Sequence, residues 1–202
     1  MIEESEVMTI GYYDRLAKAF VNRTLDRDMS LHRGRFLQCL LPKAHLLDAG
    51  CGSGRDAQAF LLSGYQVTAF DASKELAKIA ESVTGQNVMQ MRFQDLHFVN
   101  VFDGIWANAS LLHVSYDELH GVLRRLYSAL KPSGILYASF KQGKKHRQVE
   151  DRHFYDQDQE TLEPFLHDLF ACTDSWNSED TGVAANDSKL WFHVLLKKSA
   201  VK

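Results

Sequence analysis

Three glycines at alternate positions, Gly50, Gly52 and Gly54, follow directly after an apolar run that ends at Ala49, and a helical pattern begins at Arg55. Glycine permits backbone conformations that a Cβ would forbid, and it lets a ligand approach the main chain closely. The start of a helix adds free N–H groups and the positive end of the helix dipole. This strand–turn–helix pattern predicts a site for an anionic or carboxylate-bearing ligand.

The glycine spacing departs from the dinucleotide fingerprint Gly-x-Gly-x-x-Gly. Counted from Gly50, the third glycine is replaced by Arg55; counted from Gly52, it is replaced by Ala57, which leaves only the relaxed Gly/Ala form. Asp48 at the mouth of the turn would repel a diphosphate but suits a ligand with an ammonium group, such as the methionine moiety of S-adenosylmethionine. The alternative is that the glycines only make a tight turn.

Two acidic residues follow the next predicted strands. Asp71 comes about twenty residues after the glycines, where nucleotide-binding α/β folds place a carboxylate that accepts hydrogen bonds from ribose hydroxyls. Its alternative role is to cap the next helix, but Ser73 can do that. At a strand end, Asp71 is expected to contribute little to stability. Asp95 follows the third predicted strand and is a candidate acceptor for an adenine amino group, or else a loop aspartate.

Strands alternate with helical patterns around these residues, which is typical of a parallel α/β sheet. Helices are predicted at about 9–22, 30–41, 55–62 and 159–169, with one after Ser73 and another that begins in a capping box, Ser115 with Glu118. Strands are predicted at 45–49, 66–70, 88–93, 102–108, 135–140, 171–176 and 189–196, with a basic loop at 141–147. The last two strands suit an antiparallel hairpin.

These motifs, in this order, resemble those of class I S-adenosylmethionine-dependent methyltransferases. The resemblance rests on residues 48–54, Asp71, Asp95, the run 102–108 and the turn 130–134, and it covers nearly the whole chain. It is closest to small bacterial methyltransferases related to the tellurite-resistance methyltransferase. Residues 13–20 match that family's N-terminal Tyr-Asp-x-x-Ala-x-x-Phe/Tyr pattern. Ser133, where the family usually has a second glycine, affects a turn and not the chemistry.

The resemblance implies a Rossmann-like, seven-stranded, mostly parallel sheet with an antiparallel C-terminal hairpin strand and helices on both faces. It implies one domain over residues 1–202, with an N-terminal helical lid (1–42) on a core (43–202), and it implies S-adenosyl-L-methionine as cofactor, with S-adenosyl-L-homocysteine as product. The predicted cofactor-binding residues are Tyr13, Arg23, Asp48, Gly50, Cys51, Gly52, Gly54, Arg55, Asp71, Ala72, Gln94, Asp95, Leu96 and Asn108.

Methyl transfer is an in-line displacement on an activated carbon, so the enzyme mainly aligns the nucleophile and excludes water. His113 is a candidate general base, with a packed core histidine as the alternative. Lys141, Arg152 and Tyr155 are candidate substrate contacts; a solvated basic loop is the alternative there. A nicotinamide-dependent oxidoreductase and a catalytically silent cofactor-binding protein remain alternative functions. The acceptor, its methylated atom, the oligomeric state and the pathway are not predicted.

The composition of the chain limits the classes of binding partner and the cellular location that we expect. The 202 residues carry a net charge of −3, and residues 109–111 lack the Pro-Pro-aromatic pattern of amino-methylating DNA enzymes. Both features argue against a nucleic-acid partner and favour a small-molecule acceptor. Three scattered cysteines indicate neither a disulfide framework nor a metal site and fit a reducing cytoplasm. An acidic start without an apolar stretch, and the lack of a long apolar run, predict a soluble protein without signal peptide or membrane span.

Overall fold

A computed structural model describes residues 3–179 and 190–200. Its helices are α1 (Glu4–Thr24), α2 (Ser30–Leu37), α3 (Arg55–Leu62), α4 (Lys74–Thr84), α5 (Tyr116–Ala129) and α6 (Gln159–Leu166). Its strands are β1 (His45–Ala49), β2 (Gln66–Asp71), β3 (Met89–Gln90), β4 (Phe102–Ala107), β5 (Leu130–Lys141), β6 (His146–Val149), β7 (Arg152–Tyr155), β8 (Phe170–Glu179) and β9 (Leu190–Lys198). Two 3₁₀ turns lie at Phe93–Asp95 and Leu111–His113.

The main sheet has seven strands in the order β3-β2-β1-β4-β5-β9-β8. Strands β1 to β5 pair in parallel, whereas β9 runs antiparallel to both β5 and β8. The predicted Rossmann-like fold with an antiparallel C-terminal hairpin is therefore confirmed. Lys189, at the start of the predicted last strand, lies outside the described residues.

Helices cover both faces of this sheet because each presents one apolar stripe to it. On one face, Leu119 and Leu126 of α5 and Leu162 of α6 pack into the larger core. On the other face, Phe36 of α2 and Phe60 of α3 pack around Trp106 and Tyr137. Helix α1 instead contacts α4 and β7. The carboxyl ends of the parallel strands thus face α1, and the ligand site of open α/β sheets is expected there.

Three local predictions are wrong. The third strand is only Met89–Gln90, because just the last two residues of β2 pair with it, and residues 93–95 form a 3₁₀ turn that buries Phe93. Ser115 makes no side-chain cap for α5, and Glu118 accepts from the Gln94 amide instead. The basic segment is no loop, since β5 continues to Lys141 and residues 146–155 form the β6–β7 hairpin.

A capping box does occur at α6, where the sequence analysis predicts none. The Asp158 carboxylate accepts the backbone N–H of Thr161 at 2.9 Å, and the Thr161 hydroxyl lies 2.9 Å from the backbone N–H of Asp158. Threonine replaces the usual Glu or Gln at the third helical position. The helix that follows holds Leu162 and Leu166 in the core, next to the antiparallel strands.

Candidate functional site

A cavity of about 990 Å³ lies between the carboxyl ends of the parallel strands and helix α1. It brings together residues that are far apart in the sequence, from the first helix to the last strand. The predicted site residues that line it are Tyr13, Arg23, Asp48, Gly50, Cys51, Gly52, Arg55, Asp71, Ala72, Gln94, Asn108, His113, Lys141 and Arg152. A cavity of this size is sufficient for a cofactor and a small second ligand.

Four predicted site residues do not line this cavity. Gly54 packs its backbone against α4, where an added Cβ would stand 3.0 Å from the Ala80 Cα. Leu96 is buried in the core, and Asp95 is exposed with both carboxylate oxygens bonded to the Arg92 guanidinium at 2.8 and 2.9 Å. The Tyr155 ring stacks on His146, 4.5 Å away. The short third strand explains the shift at Asp95, because the chain turns inward earlier and leaves Gln94 at the cavity.

The glycine turn holds its shape through backbone conformations that favour glycine. Gly50 has φ +73°, and a Cβ there would lie 2.5 Å from the Ser110 Cβ, so a larger residue would collide with the neighbouring strand end. The backbone N–H groups of Gly50 and Cys51 both donate to the carbonyl of Phe70. The turn is therefore tied to the end of β2, and its surface forms the cavity floor.

Asp48 lies beneath this turn and is only 3% exposed. Its Oδ2 atom has no hydrogen-bond partner among the described residues. Burial, reinforced by the Asp56 charge, raises the pKa of Asp48 well above its usual range. A buried carboxylate oxygen without a partner is costly, and a cationic ligand group that donates hydrogen bonds would remove that cost. The residues present therefore fit a ligand that carries an ammonium group.

Asp71 ends β2 and lines the same cavity. Its Oδ2 accepts from the backbone N–H of Gly52 at 2.8 Å, and its Oδ1 accepts from the backbone N–H of Ser73 at 2.9 Å. Each carboxylate oxygen can accept a further hydrogen bond. Burial raises the pKa of Asp71 to about 6, although the two backbone donors oppose that shift. The arrangement leaves acceptor capacity for a pair of hydroxyl groups.

Asp56 is a cavity residue that the sequence analysis missed. Its carboxylate receives hydrogen bonds from the Arg33 and Arg55 guanidinium groups at 2.7 Å each, from the Trp106 indole at 3.0 Å, and from the Asn108 amide at 3.3 Å. These donors hold the pKa of Asp56 below its usual value despite burial. An acidic residue in the first turn of a helix that follows a glycine turn is the signal that would have identified it.

Tyr13 and His113 meet inside the cavity. The Tyr13 hydroxyl lies 2.9 Å from His113 Nε2, and His113 Nδ1 lies 2.6 Å from the carbonyl oxygen of His153. Burial lowers the pKa of His113 to about 4 and raises that of Tyr13 to about 12. Both groups are therefore neutral at physiological pH. His113 is neither a fully buried core histidine nor a solvated one.

The basic segment splits into two groups of side chains. Lys144 pairs with Glu160, and Arg147 pairs with Asp156 through two hydrogen bonds, so both are part of the hairpin's own ion pairs. Lys141 and Arg152 instead line the cavity. Lys141 Nζ lies 4.4 Å from the centre of the Trp191 ring. Trp191 and His193 also line the cavity, and both reach it because strand β9 pairs with β5.

Residues 47–138 match the family model described as a methyltransferase domain. Two curated relatives support that match. The ubiquinone biosynthesis O-methyltransferase of Xanthomonas campestris pv. campestris (strain B100) is 36% identical over 106 residues, which are 49% of this chain and 44% of the relative. The malonyl-[acyl-carrier protein] O-methyltransferase of Enterobacter lignolyticus is 30% identical over 95 residues, 46% of this chain and 37% of the relative.

This chain thus spans less than half the length of either relative. Among solved structures, the fold resembles that of the Burkholderia thailandensis 1,6-didemethyltoxoflavin-N1-methyltransferase, which was crystallised with 1,6-didemethyltoxoflavin and S-adenosylhomocysteine. The TM-score is 0.75 at 23% identity, over 99% of this chain and 92% of that one. At that identity the likeness concerns the fold. Within residues 3–179 and 190–200, no helix is long and apolar enough to cross a membrane.

Proposed function

We propose that this protein transfers a methyl group from S-adenosylmethionine to a small-molecule acceptor and releases S-adenosylhomocysteine. The observation that carries the proposal is the buried Asp48 carboxylate oxygen, which has no partner in the part of the chain that the structure describes. It lies under a glycine turn within the segment that matches the methyltransferase family model. An ammonium group next to a sulfonium is the ligand chemistry that this carboxylate suits. The names of the relatives, all of them methyltransferases, favour the same reaction class.

We propose one group of cavity residues for each part of the cofactor. Asp48 and the glycine turn would hold the methionine moiety, and Asp71 would accept the two ribose hydroxyls. Gln94, which lines the cavity where Asp95 does not, would face the adenine. Asn108 also lines the cavity, where its amide donates to Asp56 and its oxygen accepts from the Ser139 hydroxyl. We therefore propose Gln94 for the adenine contact in place of Asp95.

Residues 1–42 would act as the lid over this site. Helix α1 is attached on one side by the Asp14 carboxylate, which accepts from the Ser73 hydroxyl at 2.6 Å. On the other side the Thr9 hydroxyl accepts from the backbone N–H of His153 at 3.0 Å. A helix held at both rims excludes water from the cavity. The bound cofactor supplies an activated methyl carbon, and the protein's part is to align the acceptor with it.

Two other functions have weaker support. A nicotinamide-dependent oxidoreductase would place a diphosphate over the glycine turn, where the buried Asp48 would repel it. A catalytically silent protein would bind the cofactor and transfer nothing.

The three cysteines are free thiols, which suits the reducing cytoplasm that we propose as the location of this protein.

Cofactor binding should raise the melting temperature. A ligand of the native state at 100 times its Kd adds about 2.7 kcal/mol, which for a domain of this size corresponds to roughly 5–10 °C. We expect this shift with S-adenosylmethionine and with S-adenosylhomocysteine in differential scanning fluorimetry, and none with NAD. Mass detection of S-adenosylhomocysteine in the presence of a metabolite extract then separates an enzyme from a silent binder. Stabilisation by NAD alone would refute the proposal.

Arg152 should anchor an acceptor that carries negative charge. Its Nε is buried without a hydrogen-bond partner among the described residues, and its guanidinium pairs with the exposed Glu150 at 3.5 Å. A hydrogen bond to a charged group is worth about 1.5–3 kcal/mol, so Arg152→Ala should raise the acceptor's KM about 10- to 100-fold. Affinity for S-adenosylhomocysteine should stay unchanged.

Lys144→Ala is the matched control for Arg152→Ala, because it removes a cation of the same segment that pairs with Glu160 outside the cavity. Its KM should match that of the wild type. Added salt should weaken acceptor binding to the wild type more than to Arg152→Ala, since screening acts on the anion's attraction to the guanidinium. Equal KM values for both variants would exclude Arg152 from the acceptor site.

A further inference from the structure

A chain of two hydrogen bonds crosses the cavity from helix α1 to strand β7. Its members are the Tyr13 hydroxyl, the His113 imidazole and the carbonyl of His153, with distances of 2.9 and 2.6 Å. Tyr13 and His113 are 100 positions apart in the sequence, so the chain exists only because α1 packs against β7, and β7 in turn packs against the turn that carries His113. Both side chains line the cavity.

The direction of these hydrogen bonds is fixed by the carbonyl. A carbonyl oxygen has no hydrogen to give, so His113 Nδ1 must carry the proton and donate it to His153. His113 Nε2 then has a lone pair, and it accepts from the Tyr13 hydroxyl. The Tyr13 oxygen keeps acceptor capacity for a third group. A ligand hydroxyl that donates to Tyr13 would therefore extend the chain in the same direction.

Burial keeps this pair uncharged, although the Arg152 guanidinium favours ionisation of Tyr13 through its charge and a hydrogen bond. Arg152 lies near both side chains, His153 adds a second imidazole beside His113, and Asp71 and Tyr12 act on Tyr13. Burial is the larger influence and disfavours both the imidazolium and the phenolate. At neutral pH, His113 is thus available as a base and Tyr13 as a proton donor to it.

We propose that Tyr13 and His113 form a proton relay for an acceptor hydroxyl, which makes this protein an O-methyltransferase of alcohols, phenols or enols. This rests on the proposed methyl transfer. The acceptor oxygen bonds to the methyl carbon while the carbon–sulfur bond breaks, and the electron pair of the broken bond stays on sulfur. The hydroxyl proton moves to the Tyr13 oxygen, and the Tyr13 proton moves to His113 Nε2. The positive charge of the sulfonium ends on the imidazolium.

A weak base is sufficient for a hydroxyl acceptor. A neutral oxygen that gains a methyl group becomes a strongly acidic oxonium centre, so even a histidine that binds protons poorly accepts that proton. A carboxylate acceptor has no proton to lose. An amine that gains a methyl group remains a weak acid and would not protonate this histidine. The chemistry of the relay therefore selects a hydroxyl over these two nucleophiles.

The first experiment identifies the methylated atom without knowledge of the acceptor. Wild-type protein is incubated with S-adenosylmethionine carrying a ¹³C-labelled methyl group and a bacterial small-molecule extract, and the labelled products are read by carbon NMR. Methyl ethers are expected. Label in methylamines, thioethers or carboxylate esters would overturn the relay while leaving methyl transfer intact. Absence of any transfer would instead overturn the proposed function.

The second experiment does not depend on turnover. In ¹⁵N-histidine-labelled protein, His113 should show a protonated Nδ1 and an unprotonated Nε2, assigned from the resonance that disappears in His113→Asn. Tyr13→Phe should shift the Nε2 resonance because it removes the hydroxyl that donates to it. A proton on Nε2 in the wild type, or an Nε2 resonance that does not respond to Tyr13→Phe, would overturn the relay.

The third experiment uses the extract fraction that supports transfer. At saturating cofactor and pH 7, Tyr13→Phe and His113→Asn should each lower kcat by about 10²- to 10⁴-fold. Their rates should rise with pH, because ionisation of the acceptor replaces the relay, whereas the wild-type rate stays flat. The matched controls Tyr65→Phe and His120→Asn, whose side chains make no hydrogen bond within residues 3–179 and 190–200, should behave as wild type. A flat pH profile with less than about threefold loss in both relay variants would refute the relay.

Discussion

Replacement of Asp56 by alanine should lower the free energy of unfolding by about 3–5 kcal/mol, the usual cost of removing one partner from a buried ion pair. The side chain of Asp56 is 6% exposed, and those of Arg33 and Arg55, which pair with it, are 19% and 17% exposed. Without the carboxylate, two guanidinium groups and the Trp106 indole N–H would lose their acceptor inside the protein. For a chain of this size the melting temperature should fall by about 10 °C.

Urea unfolding followed by circular dichroism measures this loss directly. Asp151→Ala is the matched control, because its ion pair with Arg15 is largely exposed on both sides and should be worth about 0–1 kcal/mol. Asp56→Asn should fall between the two, since an amide oxygen still accepts from one arginine. A loss below about 1 kcal/mol for Asp56→Ala would mean that water replaces the carboxylate, and that the cluster is not a structural centre.

The main features of the fold were predictable because they depend on local patterns. Apolar runs of four to six residues, separated by helical periodicity and glycine turns, favour a parallel sheet whatever the ligand. The order of the motifs then placed Asp48 and Asp71 at adjacent strand ends, and the structure places both at one cavity. Their spacing along the chain was informative because parallel neighbouring strands end at the same edge of a sheet.

Features that depend on tertiary contacts were not predictable in this way. The apolar residues Val88 and Phe93 indicated a strand of six residues, but both are buried by packing while only Met89 and Gln90 pair with β2. The charges of the basic segment gave no indication of their partners. Arg147 and Arg152 lie on the same face of the hairpin, because Arg147 pairs with Phe154 and Arg152 with Val149. Arg152 nevertheless lines the cavity, whereas Arg147 forms an ion pair with Asp156.

The candidate site predicted from the sequence was incomplete because several of its residues come together only through tertiary contacts. The position of Asp56 in the first turn of the helix after the glycines marks it as a candidate, but its ion pair with Arg33, 23 positions earlier, is a tertiary contact that the sequence does not show. His193 lines the cavity because β9 pairs with β5 in a register that sets it beside Ser139, and antiparallel register is not written in the composition of either strand. Glycine turns and acidic residues at strand ends can be recognised from local sequence, whereas the cavity residues that would contact the acceptor cannot.

Asp71→Ala should weaken the affinity for S-adenosylhomocysteine at least tenfold. Each hydrogen bond from a ribose hydroxyl to a carboxylate is worth about 1.5–3 kcal/mol, and every 1.4 kcal/mol is a factor of about ten in Kd. Isothermal titration calorimetry at pH 7.5 measures the change. Asp117→Ala, which removes an exposed carboxylate in the first turn of α5, is the control and should bind as wild type.

The structure also revises the expectation that Asp71 contributes little to stability. Its carboxylate accepts the backbone N–H groups of Gly52 and Ser73, so alanine would leave two partly buried donors without a partner. We expect a loss of about 1–3 kcal/mol in unfolding free energy. Saturating S-adenosylhomocysteine should restore less stability to Asp71→Ala than to the wild type. If Asp71→Ala binds S-adenosylhomocysteine with normal affinity but is less stable, Asp71 stabilises the glycine turn and does not bind the ribose.

The pH dependence of binding separates these two roles. The pKa of Asp71 is raised to about 6 by burial, so the carboxylate is ionised above that pH and increasingly protonated below it. A protonated carboxyl group is a poorer acceptor for two hydroxyls, and the affinity should therefore fall as the pH drops through 6, by at most about tenfold per unit. Asp48, whose pKa is also raised, contributes its own pH dependence. Asp71→Ala keeps the Asp48 contribution, so the difference between the two titration curves belongs to Asp71. If Asp71 binds the ribose, that difference is large above pH 6 and shrinks below it; parallel curves would place the ribose elsewhere.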